Sequence, residues 1–186
     1  AANSLVGSFT EDQLGGYITA LSNGNYIVGN NLSNVMATQA GAVTFGDGTT
    51  GVTGVISTAN SLVGSTDYDA VGGYGVSALS NSNYLVTSIS FDTNTKTYTG
   101  VVTFGDGTTG IIGEISSTNS VIGTESSLKP PEIILDEINN TFIVVLKDEG
   151  RVWVGSQADG FQPRILEEIS DVIISENSTE QTVNLT

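Results

Sequence analysis

Between residues 72 and 110 the apolar positions follow a short, interrupted alternation. Tyr74, Val76 and Ala78 are separated by small or polar residues, Ser80-Asn81-Ser82-Asn83 is a cluster of turn formers, and Tyr84, Leu85 and Val86 resume the apolar run. A period of two broken by turn-forming residues predicts strand, tight turn, strand. The second strand is expected to reach about Phe91, with a loop at Asp92-Thr93-Asn94-Thr95, and Gly100-Val101-Val102-Thr103-Phe104 reads as a third strand closed by Gly105-Asp106-Gly107. Residues 111–116 carry the β-branched content of a fourth strand, leading into Asn119-Ser120-Val121-Ile122-Gly123. Four antiparallel strands joined by short loops is the make-up of a propeller blade.

The same frame occurs earlier, with Tyr17, Leu21, Tyr26, Ile27, Val28, Val43 and Phe45 in the apolar positions. The match extends to the letter. NSLVGS stands at 3–8 and 60–65, GGYITALSNGNYIV at 15–28 answers GGYGVSALSNSNYLV at 72–86, and GAVTFGDGTTG at 41–51 returns as GVVTFGDGTTG at 100–110. Near-identity at a fixed spacing marks a repeated structural unit, which cannot bury its apolar faces alone and is stabilised by stacking on its neighbours.

A looser third copy follows. NSVIGT at 119–124 restarts the unit, residues 138–144 lie where LSNSNYLV lay, and Gly150-Arg151-Val152-Trp153-Val154-Gly155 keeps the frame of residues 100–105. Leu128-Lys129-Pro130-Pro131 replaces the Gly-Gly opening, and Lys147-Asp148-Glu149 is a turn of hairpin length. The expected organisation is β repeat 1 at 1–59, β repeat 2 at 60–118, a degenerate β repeat 3 at 119–164, and a segment at 165–186 that resembles the opening strands of immunoglobulin-like or cadherin-like domains or pairs with another subunit. The fold class is therefore all-β: tandem four-stranded antiparallel, blade-like repeats of propeller type with a β-rich C-terminal extension.

Composition removes most catalytic chemistry. The chain has no cysteine and no histidine, so thiolate nucleophiles, imidazole bases and the usual zinc ligands are absent. Its formal charge is −15, which opposes contact with nucleic acid and anionic lipid. No apolar run approaches the length needed to span a bilayer. The acids are uneven: Glu11, Asp12 and Asp47 are the only ones in residues 3–59, five fall in 60–118, and twelve in 119–186.

The carboxylates in repeated positions are Asp12 with Asp69, ahead of the Gly-Gly strand, and Asp47 with Asp106, in the FGDGTTG turns. Asp-Gly there reads first as a turn chosen for positive φ and self-capping, and second as a ligand or metal position. Repetition of Tyr17, Tyr74, Tyr26 and Tyr84 argues for packing, as does the single Trp153 in its strand frame. An active site made of paired carboxylates would be expected to be unique rather than duplicated, so no catalytic, cofactor-binding or metal-binding residue is assigned.

The landmark order, Gly-Ser then Asp then Gly-Gly, an Asn-bearing turn, an apolar strand and GAVTFGDG, resembles the FG-GAP repeat of integrin-α type β-propellers. It also resembles secreted bacterial repeats that carry NSLVGS and LSNGNYIV. The resemblance covers residues 3–124 well and 125–164 poorly. It implies an aspartate-rich Ca²⁺ loop at the turn before the second strand, but Ser22-Asn23-Gly24-Asn25 and Ser80-Asn81-Ser82-Asn83 offer neutral oxygens and no carboxylate, a weak Ca²⁺ donor set. No cofactor is expected.

The functional expectation is a non-catalytic structural or adhesive module of a secreted or cell-surface bacterial protein, assembling through its repeats or by strand addition into an array or fibre. The alternative is a β-propeller that binds carbohydrate or protein. Expected partners are other copies, adjacent repeats or domains, and cell-surface glycans or proteins, without nucleic acid or membrane insertion.

Overall fold

The computed structural model describes residues 4–9, 12–127, 129–158 and 160–164, the last five through their backbone. The tail reading at 165–186 lies outside the described residues. These are all-β, without an α-helix and without a closed barrel or propeller.

Repeat 1 opens with the two-residue strand β1 (Leu5–Val6). An antiparallel meander follows, of β2 (Tyr17–Ala20), β3 (Tyr26–Asn30) and β4 (Ala42–Gly46), then β5 (Gly54–Val55). The fourth antiparallel place in this sheet is taken by β6 (Ser61–Val63), the start of repeat 2, with Thr44 opposite Ser61, Val43 opposite Leu62 and Ala42 opposite Val63. Repeat 2 does the same. Its meander of β7 (Gly75–Ala78), β8 (Tyr84–Ser88) and β9 (Val101–Gly105) continues through β10 (Gly113–Glu114), and the sheet is completed by β11 (Ser120–Ile122), the start of repeat 3.

The fourth strand expected at 111–116 is thus reduced to β10, and it serves a different sheet. β10 lies parallel to β6 on the outer edge of the first sheet, Gly113 opposite Leu62 and Glu114 opposite Val63, as β5 lies parallel to β1. Positive φ at Gly110 (75°) and Gly113 (91°) turns the chain out of its own sheet after the FGDGTTG motif. Repeat 3 differs: β12 (Glu132–Asp136), β13 (Thr141–Leu146), β14 (Arg151–Ser156) and β15 (Gly160–Arg164) form a complete meander without outside help.

The sheets pack face to face, and the two sides of the middle sheet divide by strand alternation. Tyr84, Val86 and Val101 join Leu21, Ile27, Val43 and Leu62 of the first sheet in one core. Leu85, Val102 and Val121 join Phe142, Val144 and Leu146 of the third in another, where Phe104 stacks on Phe142 with ring centroids 6.2 Å apart.

One cross-strand pair recurs in all three sheets. Tyr26 stands opposite Gly46, Tyr84 opposite Gly105 and Phe142 opposite Gly155. The ring lies across the glycine, so a Cβ there would come within 2.2, 2.1 and 2.2 Å of the ring carbons. The aromatic fills the space a side chain at the glycine would occupy, which is why the glycine of the TFG motif persists in the divergent third unit.

Gly105→Ala is expected to lower unfolding free energy by about 2 kcal/mol or more through forced displacement of the Tyr84 ring. Gly24→Ala, at a site with φ +90° and nothing within 4 Å, should cost about 1 kcal/mol from backbone strain alone. Urea unfolding of the two variants measures the difference.

Candidate functional site

The places where polar groups converge are the joints between repeats. In the Leu21–Asn25 turn the Asn25 amide N–H donates to Asn23 Oδ1 at 3.1 Å, a local turn closure of the kind the Asn residues predict. The same side chains also reach outward. Asn23 Nδ2 and Asn25 Nδ2 both donate to the Gly107 carbonyl of repeat 2, at 2.7 and 2.9 Å, while Asn25 Oδ1 accepts the Gly48 N–H of its own repeat at 2.9 Å. Ser22 adds a 2.7 Å hydroxyl contact to Ser82.

The second joint repeats the device with a different acceptor. Asn83 Oδ1 takes the Gly107 N–H at 2.8 Å, and Asn81 and Asn83 donate to the carbonyl of Gln157 in repeat 3, Asn83 at 2.7 Å. Gln157 is fully buried, and its side chain accepts Ser80 Oγ at 2.9 Å and donates to the Thr141 carbonyl. Gly107 is therefore a hub: its N–H is held by its own repeat and its carbonyl by the preceding one. It must be glycine because a Cβ would sit 1.9 Å from the Ser82 carbonyl oxygen, and Gly48 faces Gly24 O likewise at 2.0 Å. The positive φ expected of these Asp-Gly turns falls instead on Gly51 and Gly110.

The carboxylates work within the turns. Asp47 Oδ1 accepts the N–H groups of Thr49 and Thr50 and the Thr50 hydroxyl, and Asp106 does the same with Thr108 and Thr109. These hydrogen bonds to the charged form, led by those from Thr50 and Thr109, hold both carboxyls below the usual range.

Asp12 and Asp69 are almost wholly buried and tie two loops together. Asp12 accepts Ser8 Oγ, the Phe9 N–H, and the N–H and side-chain amide of Asn34. Asp69 accepts the Ser65 and Thr66 N–H groups, the Thr66 hydroxyl at 2.6 Å and the Asp92 N–H. Burial alone would raise the Asp12 pKa, but the donors from Phe9, Asn34 and Ser8 outweigh it and leave the carboxyl lowered.

In repeat 3, Leu128 occupies the sequence place of this aspartate. Glu149 substitutes from the turn between β13 and β14, accepting the N–H of Thr124 and of Glu125 and pairing with Arg151 at 3.0 Å. Its burial is likewise outweighed by these hydrogen bonds, so its pKa is lowered. Spacing along the chain gave no signal for Glu149, because the partner comes from a different loop.

The repeated tyrosines part company. The Tyr17 hydroxyl donates across the first joint to the Gly72 carbonyl at 3.0 Å, and burial pushes its pKa to about 12. Tyr84 is fully buried, and burial raises its pKa further. Tyr74, the counterpart of Tyr17, remains 57 % exposed, and Pro130-Pro131 stands in the segment that replaces the Gly-Gly opening. It lines an open groove of about 500 Å³ with Ser77, Lys129, Pro131 and Lys147. Trp153 packs at the edge of the second core beneath Arg151, 5.1 Å from its ring centroid.

Residues 1–16, 20–73 and 78–129 match a family described as a repeat of unknown function (DUF5650). No curated protein and no solved structure matches the chain.

Asp12→Asn is expected to cost about 1–3 kcal/mol at neutral pH, since a carboxylate holding several buried donors is replaced by a group that cannot accept them all. Because the folded-state pKa is lowered, this contribution is present above the unfolded pKa and is lost as pH falls through the folded value. The melting-temperature gap between wild type and Asp12→Asn should therefore narrow below about pH 4.

Proposed function

The chain belongs to this family of repeats of unknown function, and on that footing we propose that it is a non-catalytic structural module of a secreted or cell-surface bacterial protein. Its work is to build an ordered array of β layers. Each layer corresponds to the blade seen in the FG-GAP resemblance, laid in an open stack. The observation that carries the reading is the shared strand: each of the first two sheets is completed by the opening residues of the following repeat. The repeated polar residues support it, since Asn23, Asn25, Asn81 and Asn83 bind neighbouring repeats while Asp12, Asp47, Asp69 and Asp106 cap loops within them.

A second reading, ligand binding, draws on one observation, the groove beside exposed Tyr74 with Lys129 and Lys147 on its walls. An exposed aromatic face suits the stacking of a sugar ring, and the two lysines there are paired with Asp148 and Glu132.

Single-molecule pulling on the chain tethered at both ends tests the structural reading. Sheets one and two should rupture in one event, because β6 and β10, which flank the second meander along the chain, are both hydrogen-bonded into the first sheet, and the variant Asn23→Ala/Asn25→Ala should split or weaken that event. Turnover in a glycosidase screen, or saturable glycan binding abolished by Tyr74→Ala, would overturn it in favour of the alternative.

A further inference from the structure

The strand β1 is the counterpart of β6 and β11, yet its surroundings differ from theirs. β6 is paired on both edges, antiparallel to β4 and parallel to β10. β1 is paired on one edge among the described residues, parallel to β5. The pairing runs through carbonyls of Ser4 and Val6, which accept the N–H groups of Gly54 and Ile56 at 3.0 Å each. N–H and C=O of one strand residue point to the same side, and the side alternates along the strand. The backbone groups of Leu5 and Gly7 therefore face the unpaired edge.

Four further features of this edge match a joint with one partner absent. The hydroxyl of Ser61 lies 2.7 Å from that of Thr44, and Ser120 lies 2.7 Å from Thr103, whereas Ser4 at the same position has no such partner among the described residues. Leu62 and Val63 are 0 % exposed, while Leu5 and Val6 are only half-buried. Gly64 and Gly123 are glycines because a Cβ would meet the carbonyl oxygen of Ala40 at 2.4 Å or of Thr99 at 1.9 Å. At Gly7 a Cβ would meet the Asp12 side chain at 2.9 Å, as at Gly64 it would meet Asp69 at 2.7 Å, but the facing carbonyl that crowds Gly64 and Gly123 is not among its nearest atoms. Finally, Gly107 O accepts two asparagine amides from the preceding repeat, and the equivalent Gly48 O accepts none among the described residues.

We propose that the Leu5 and Gly7 edge of β1, with the Gly48 carbonyl, is a docking site for a further repeat of this same type joined directly ahead of it. That repeat would supply a Val-Thr-Phe-Gly strand antiparallel to β1 and an Asn-x-Asn turn to Gly48. Its threonine would stand opposite Ser4, and its strand-opening glycine would accept the Gly7 N–H as Gly41 and Gly100 accept those of Gly64 and Gly123. A second copy of this chain does not fit the requirement. Strands β4 and β9 are paired on both edges, and β14 is closed by β13 and β15, so none has an edge to offer. The inference rests on the structural reading above and names the partner of its array.

The test extends the chain by placing a copy of residues 60–118 directly ahead of Asn3, which preserves the repeat spacing. Hydrogen exchange at Gly7 should slow at least tenfold relative to the original chain, and the extended protein should melt higher. Leu5→Pro removes an outward N–H, keeps the carbonyls of Ser4 and Val6 that pair with β5, and thins the cluster Leu5 forms with Ile56 and Val63, so the extended chain carrying it should melt no higher than the original chain carrying it. Unchanged exchange at Gly7 in an extended chain whose original three sheets stay folded would overturn the proposal. Glycan binding or turnover by a chain that does show the protection would defeat the structural function and leave the docking site standing.

Discussion

A three-stranded meander is left with an unpaired edge on its third strand, and this protein closes that edge with backbone borrowed from the next repeat. Open hydrogen-bonding groups along a flat edge invite association with any extended chain. Here Ser61–Val63 and Ser120–Ile122 fill the first two such edges, and β10 then covers the outer side of β6. Two layers are thereby bound by main-chain hydrogen bonds as well as by the apolar contact of their faces. The Asn turns, the Tyr17 hydroxyl and the buried aspartates all lie around this exchange and hold its geometry.

Ion pairs contribute to a different part of the molecule. Among the described residues, four salt bridges join Lys96 to Glu125, Lys129 to Asp148, Lys147 to Glu132 and Arg151 to Glu149, so each of these draws on the segment after residue 119. The first two sheets rely instead on amides, hydroxyls, backbone and the carboxylates of Asp12, Asp47, Asp69 and Asp106, which accept hydrogen bonds from N–H and O–H groups. Exposed ion pairs are weak and salt-sensitive, whereas buried hydrogen bonds are screened little. The division agrees with the charge distribution, three acids in residues 3–59 against twelve after 118.

Much of this was legible from residues close in sequence. The alternation at Tyr74, Val76 and Ala78, the Asn-rich turn and the Val-Val-Thr-Phe run placed the meander of repeat 2, and identity carried it to repeat 1. The fourth strand was misplaced because residues 111–116 have strand composition, while the pairing choice depends on two positive-φ glycines and on where NSLVG can reach. Asn23 and Asn25 read as turn formers, which describes one of their four side-chain hydrogen bonds; one reaches Gly48 in the same repeat and two cross to Gly107, more than 80 positions away. Glu149 was invisible for the same reason. The groove at Tyr74 is lined from two repeats, by Tyr74 and Ser77 of the second and by Lys129, Pro131 and Lys147 of the third, so no single stretch of sequence announces it.

Borrowing the closing strand from downstream gives the chain a direction in time. Synthesis proceeds from the N-terminus, so a nascent sheet on the ribosome waits with its third strand bare until the first few residues of the following repeat emerge. Order within the stack is thus written into the sequence of emergence, and a layer can be completed only by what is made after it. Repeat 3 departs from this dependence, because β15 follows β14 within the same unit and lets that layer finish unaided.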